Sequence, residues 1–241
     1  MATTYLQLVN DCNARVNEVQ LTSSNFATAA GHYQVVKQAV NDAIRRIAQQ
    51  QFEWPFFHVE YDETLVAGTN RYAYQADSKS VDFDSFRIQR SGVLGNESQY
   101  LKRISYEEYL RTKVDDEYNS SNTSIRDLPK YVFETQDQNY GIWPVPDEAY
   151  TLTYEYFKYP TDLVAYDDTM EFPDAFRHVV VDMAMYFVYQ FRADYENADR
   201  VMALVMENIK DLRTIFINRY NHVNDTRIIR DYKYPVTLRT S

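Results

Sequence analysis

The hydrophobic period changes sharply between Tyr140 and Phe191, and that change limits what the chain can become. Tyr140-Gly141-Ile142-Trp143 reads as one strand and Tyr150 to Lys158 as another. The second sets Tyr150, Leu152, Tyr154 and Tyr156 on one face against Thr151, Thr153 and Glu155 on the other. A period of two predicts a half-buried antiparallel sheet. Pro144 and Pro146 cannot donate to a strand ladder, so they are expected to form the connection at which the sheet reverses. After Phe172-Pro173-Asp174 the period becomes three and four: Phe176, Val179, Val180, Met183, Ala184, Phe187 and Phe191. This broad stripe predicts the longest helix of the chain, largely surrounded by others, with proline in the first turn where its missing amide does no harm. The stripe breaks around Arg192 to Asn197 and resumes from Ala198 to Phe216, which predicts a second helix antiparallel to the first.

The rest of the chain supplies both kinds of element. Tyr5, Leu8, Val9, Cys12, Val16 and Val19 have helical spacing, with Thr3 or Thr4 as the cap. The polar cluster at 22–25 ends that helix and starts another from Phe26 to about Gln51, in which Gly31 is an interior residue costing about 1 kcal/mol against alanine. Pro55 ends the helical pattern. Phe56 to Tyr61 alternates, Gly68-Thr69-Asn70 is a turn, and Arg71 to Tyr74 is expected to return as its hairpin partner. Val81, Phe83, Phe86 and Ile88 suggest one or two more strands, Gly92 and Gly95 a loop, and Leu101 a short strand. Ser105 with Glu108 reads as a capping box opening a short helix to about Tyr118. A polar loop at 119–124 precedes the strand around Tyr131 and Phe133. The expected fold is therefore α+β: a helical bundle of two N-terminal and two long C-terminal helices, a central antiparallel β-rich insertion and an extended C-terminal arm. The divisions fall at 1–54, 55–170, 171–221 and 222–241.

Composition excludes several classes. One cysteine, Cys12, permits no internal disulfide, and its place on the apolar stripe predicts a small buried hydrophobe, not a nucleophile. No charged-then-apolar leader opens the sequence, so secretion through a signal peptide is not expected. The most apolar run, Val179 to Phe191, contains Asp182 and is too short for a bilayer core of about 30 Å. With 25 basic against 35 acidic residues, the net charge of −10 disfavours general adhesion to nucleic acid, which depends on cations displacing counterions from phosphate. The 22 tyrosines suit strands and half-buried surfaces, and equally interfaces, where a ring with a polar tip fits contact with another chain.

Residues that could do chemistry are scattered. His32, His58, His178 and His222 lack ligand spacing to one another or to Cys12. Carboxylates pair at Asp62-Glu63, Asp82 and Asp84, Asp115-Asp116-Glu117 and Asp167-Asp168, but neither a cleft nor an organised oxygen set is legible around them. Five glycines form no phosphate-cradling loop, and no serine sits in a Gly-x-Ser-x-Gly turn. No cofactor or metal is expected. The C-terminus stands apart: from Arg219 onward five positive residues face two negative ones, a balance of +3 that leaves −13 for the remainder. Ile228, Ile229, Tyr232, Tyr234, Pro235, Val236 and Leu238 place apolar anchors among Arg227, Arg230, Lys233 and Arg239, a pattern that favours docking over disorder.

The order of short motifs resembles a known family. Leu8-Val9-Asn10-Asp11, then Val40-Asn41-Asp42-Ala43-Ile44-Arg45-Arg46-Ile47, Phe52-Glu53-Trp54-Pro55-Phe56, Ile142-Trp143-Pro144-Val145-Pro146-Asp147 and Phe172-Pro173 resemble the head-to-tail adaptors of tailed bacteriophages, nearest to the tail tubular protein A group. The likeness spans most of residues 3 to 220 and is weakest over 62–130. It implies a structural virion protein that is not an enzyme. Such a protein assembles as a ring, usually dodecameric, between the portal protein and a tail nozzle or other tail component. The ring continues a channel through which DNA passes without specific binding, and no membrane is involved. It also implies a C-terminal arm on the portal, here Arg227, Ile228, Ile229, Arg230, Tyr232, Lys233, Tyr234 and Arg239. Two other readings compete: a carbohydrate- or ligand-binding module stacking its ligand on Trp54, Trp143 and tyrosines, and a metal-dependent hydrolase using Asp167 and Asp168.

Overall fold

The computed structural model describes residues 3–50, 53–92, 95–119, 122–137 and 139–216, the side chains of 90–92 and 95–97 excepted. Among these residues the chain forms six helices and two four-stranded sheets, the α+β architecture that the change of period predicts.

The helices are α1 (Tyr5–Arg15), α2 (His32–Ala48), α5 (Arg177–Phe191) and α6 (Tyr195–Phe216), with the shorter α3 (Tyr106–Thr112) and α4 (Val114–Tyr118) elsewhere. Thr4 caps α1 reciprocally: its hydroxyl accepts from the Gln7 amide while the Gln7 side chain accepts from the Thr4 amide. Tyr5, Leu8, Val9 and Cys12 then bury one stripe. The central member is α5, whose valines at 179, 180 and 181 with Met183, Ala184, Met185 and Val188 bury almost its whole circumference. It packs on α1, α2 and α6. At roughly 1.5–3 kcal/mol for each fully buried large aliphatic side chain, this helix contributes a large share of the bundle's hydrophobic stabilisation. Trp54, Phe56, Phe57, Phe172 and Phe176 close the bundle's end in edge-to-face and stacked contacts with ring centroids 4.8–5.7 Å apart.

The larger sheet has the order β1-β8-β3-β4, from β1 (His58–Thr64), β8 (Thr151–Lys158), β3 (Ser78–Gly92) and β4 (Gly95–Tyr100). The smaller has the order β2-β7-β6-β5, from β2 (Arg71–Ala73), β7 (Asn139–Trp143), β6 (Tyr131–Glu134) and β5 (Lys102–Arg103). A second core gathers residues of both sheets, among them Phe86, Ile88, Val132, Tyr140, Ile142, Leu152 and Tyr154. Phe86 stacks on Tyr154 at 4.8 Å, and Tyr140 meets Tyr154 at 5.5 Å. A small third core, Ile104, Tyr109 and Phe133, sits under α3.

Several expectations are corrected. The segment from Phe56 does not form a hairpin with Arg71–Tyr74: β1 pairs with β8 and β2 with β7, so the partners lie 87–99 residues apart in the first pair and 66–70 in the second. Consequently Pro144 and Pro146 do not reverse one sheet; they carry the chain from the smaller sheet to the larger, through a cis Trp143–Pro144 bond. The second helix starts at His32, not Phe26, because Gly31 takes φ 66° and ψ −126°, a conformation that no helix interior contains. Val19 is exposed because α1 ends at Arg15. The helix from Ser105 is broken at Lys113, whose φ of −132° separates α3 from α4. Pro173 precedes a 3-10 turn at Asp174–Phe176 instead of entering the first α-turn, and the longest helix is α6 with 22 residues, against 15 in α5.

Candidate interaction surfaces

Several of the residues singled out for chemistry are engaged in the fold. Asp168 spends its carboxylate on the amides of Val164 and Ala165, both at 2.7 Å, while its carbonyl accepts from the Tyr5 amide. Asp167 beside it is exposed. No group of three or more metal-capable side chains occurs among the described residues. His58 meets Glu155 at 2.9 Å on the polar face of the larger sheet, and His178 is exposed at the start of α5. Cys12 has no exposed surface, and burial pushes its thiol up to about 12, so it is inert as a nucleophile.

The two tryptophans do not make a stacking platform. Trp54 is buried between Phe56 and Phe176 in the bundle. Trp143 is half-buried in the smaller sheet's neighbourhood; its indole N–H donates to Asp116 at 2.8 Å and Lys113 lies 3.9 Å over its ring. A sugar would have to displace that ammonium.

The most strongly perturbed charges form a strut that the sequence did not announce. Arg71, on β2, reaches Glu117, on α4, with Nε 2.8 Å from Oε1 and Nη2 3.0 Å from Oε2. The Tyr109 hydroxyl donates to Glu117 at 2.6 Å, and Asn70 lies 3.3 Å from that hydroxyl. Burial raises the Glu117 carboxyl, but the bonds from Arg71 and Tyr109 outweigh it and hold the group below its ordinary value. Burial first, then Glu117, pushes the Tyr109 phenol upward. A fully engaged carboxylate has no lone pair directed at a ligand, so the set works as a tie between the smaller sheet and α3–α4. The sequence carried only one sign of it, Glu117 within an acidic run; its partner Arg71 is remote and could not be inferred.

A groove of about 720 Å³ runs between the start of β3 and the end of β6, lined by Tyr74, Lys79, Phe83, Arg103, Glu134 and Tyr159. Arg103 spans it, lying 4.7 Å over the Phe83 ring and 3.8 Å from Glu134. Arg103 is taken up by Glu134 and the Lys79 ammonium donates to the carbonyls of Ala48 and Gln50, so the charges converge on no common point.

What the surface does offer is apolar side chains in contact with solvent. Val164 and Tyr166 stand out from the loop before α5; Leu204 and Ile215 project from α6; Leu110 and Tyr118 from α3 and α4; Phe191 and Tyr195 flank the α5–α6 turn. Singly these are ordinary, but their presence on every layer suits a protein buried among neighbours. No helix among the described residues is long and apolar enough to cross a membrane. The arm residues Arg227, Ile228, Ile229, Arg230, Tyr232, Lys233, Tyr234 and Arg239 lie outside the described residues.

No curated protein matches the chain in sequence. A family model does: the one described as SU10 adaptor protein matches residues 3–227, which takes in all three cores and every helix and strand given above. With a match over nearly its whole length, the chain belongs to the SU10 adaptor family, the head-to-tail adaptors of phages.

Proposed function

We propose that the protein joins the portal to the tail by forming a ring around the DNA path. Membership of the adaptor family carries this reading, and it makes the protein a structural component of the phage neck. The ring, its channel and its particular partners are what the proposal adds. Exposed apolar residues on α6 and in the loop before α5 would become buried between subunits, and aromatic or aliphatic anchors of this kind supply most of the energy of protein interfaces. The formal charge of −10 suits a channel in which DNA must slide, since like charge opposes phosphate binding. In this division of labour the bundle segments 1–54 and 171–221 hold neighbouring subunits. The β-rich segment 55–170 faces a tail nozzle or other tail component, and the arm, 222–241, contacts the portal.

Light scattering during size-exclusion chromatography, with and without portal, tests the proposal. A ring or a portal complex supports it, whether the free protein is monomeric or not, because the portal can template assembly. Failure to associate with portal or with itself at both low and high salt refutes it. Replacing Arg227, Arg230 and Lys233 together by glutamate should weaken portal binding and remove its salt dependence; unchanged binding would exclude the arm as the contact. The carbohydrate reading finds no support in a Trp54 that lies in the core.

A further inference from the structure

The larger sheet ends on β1, a seven-residue strand that, among the described residues, pairs on one side only, with β8. Its other side presents a row of unpaired backbone groups, which proteins ordinarily cover, shorten or charge. The strand is long for an edge: the smaller sheet's edges, β2 and β5, have three and two residues. Its residues alternate between exposed and half-buried. His58, Glu60, Asp62 and Thr64 form the exposed row; Val59, Tyr61 and Glu63 form the half-buried one. Val59 and Tyr61 pack against the second core yet remain partly open, as they would if one more strand belonged beside them. Glu63 is the odd member. Among the described residues no lysine, arginine or histidine forms an ion pair with it, and burial raises its carboxyl more than the hydrogen bond from Tyr61 lowers it. A half-buried carboxylate without a counter-charge is a group waiting for a cation.

The described chain ends next to this edge. Phe216, the last residue of α6, has its ring 6.1 Å from Phe56, and Phe56 is two residues before β1. The 25 residues from 217 to 241 therefore depart from the foot of the unpaired strand. They carry five positive and two negative side chains, against a body of −13. Within them, 227–234 alternates in the manner of a strand. Ile228, Arg230, Tyr232 and Tyr234 make one row; Arg227, Ile229, Asp231 and Lys233, net +1, make the other; Pro235, which cannot donate to a ladder, ends the run. The ten residues 217–226 span at most roughly 33–36 Å, and β1 is about 24 Å long, so the segment can reach either end of it.

We propose that residues 227–234 of the same chain add to the free edge of β1 as a fifth strand of the larger sheet. Ile228, Tyr232 and Tyr234 then extend the aromatic core past Val59 and Tyr61. Arg230 lies on the side of Glu63, and Arg227 and Lys233 lie on the side of Glu60 and Asp62. The same segment cannot also lie on the portal, so pairing in the free chain holds the arm back until a stronger partner strips it off. The strand pairing itself does not depend on the portal reading.

Hydrogen–deuterium exchange of the full-length chain alone, with no portal present, tests it. The amides of 58–64 that point away from β8 should exchange at least about tenfold more slowly than in two full-length variants, Tyr232→Pro and Arg230→Glu/Lys233→Glu. Tyr232→Pro removes a ladder donor and the charge reversal removes the match to Glu63, while β8 amides report that the fold is kept. Equal exchange of 58–64 in all three proteins overturns the proposal. Protection that rises with protein concentration also overturns it, since a second copy would then supply the strand. Because portal is absent throughout, failure here leaves the portal-binding proposal standing, and failure of portal binding leaves this result unaffected.

Discussion

Gly141→Ala should damage the smaller sheet out of proportion to the one methyl added. Gly141 is buried on β7, opposite Phe133 of β6 and Arg71 of β2. A Cβ built there overlaps the Cζ and Cε2 atoms of the Phe133 ring and lies 2.9 Å from its Cε1. The ring cannot simply retreat, because its far face stacks on Tyr109 at 3.8 Å, and Tyr109 is the residue that donates to Glu117. Two terms follow. Overpacking a filled core costs about 1–3 kcal/mol. Tilting Phe133 off Tyr109 forfeits much of an aromatic pair worth about 0.5–1.5 kcal/mol. Together they predict a loss of roughly 2–4 kcal/mol, a large part of an ordinary domain's 5–15. Urea unfolding followed by far-ultraviolet circular dichroism would measure it. The control is the same substitution in a Phe133→Leu background: with the ring gone, Gly141→Ala should cost at least about 1 kcal/mol less, the coupling expected of touching residues. A variant within about 0.5 kcal/mol of the wild type, or an equal cost in both backgrounds, would refute the idea that Phe133 is what requires a glycine there.

Three further outcomes are expected. Glu117 has its folded pKa lowered, so its contribution is present above the unfolded value of about 4.3 and is lost as the pH falls through the folded value. Glu117→Gln should therefore be less stable by about 1–3 kcal/mol at pH 7, with the gap to wild type closing below pH 4 in urea midpoints taken across that range; a gap that widens in acid would refute the assignment. Cys12, buried with its thiol pushed up to about 12, should resist a disulfide reagent at pH 8 in the native protein and react with one equivalent in urea. Ala193 holds φ 57° in the α5–α6 turn, where a side chain is strained by about 1–2 kcal/mol; Ala193→Gly should raise the melting temperature by a few degrees despite the added chain entropy, and a fall would argue against strain.

Local signals were legible in proportion to how much of each element's environment lies near it in sequence. The Thr4 cap and the stripes within α1 and α2 read correctly, since spacing decides which face is buried; on β8 the alternation fails at Thr153, which is buried although it lies on the face opposite the tyrosines. Strand partners did not, because β1 must find β8 across the entire smaller sheet, and a hairpin with β2 was the nearer choice. Gly31 was misread for a different reason. Glycine inside a helix and glycine at its start look alike in sequence, and only φ 66° separates them. The strut from Arg71 to Glu117 likewise needs coordinates, since neither residue has a local reason to seek the other. Trp54 illustrates the converse: a tryptophan beside proline suggests exposure in a loop, yet three phenylalanines from 56, 172 and 176 enclose the site.

The first residues of the chain are sewn to the far side of the β-rich segment. Thr3 bonds Asp174 through both its amide and its hydroxyl, Thr4 bridges Thr169, and the amides of Tyr5 and Leu6 donate to the carbonyls of Asp168 and Tyr166. The helical core likewise needs α5 between α1, α2 and α6. A ribosome delivers these partners in the wrong order for early closure. The first two helices emerge, the two sheets follow and can complete themselves at Lys158, and only then does α5 appear. At about 5–20 residues per second, the interval between the end of α2 and the start of α5 is on the order of ten seconds. Throughout it the stripe of Val36, Val40, Ile44 and Ile47 lacks α5, its main partner, and has α1 as its only helical neighbour. Newly made copies are then most open to chaperones and to mispairing with each other, so expression temperature should govern yield more than the stability of the finished fold does.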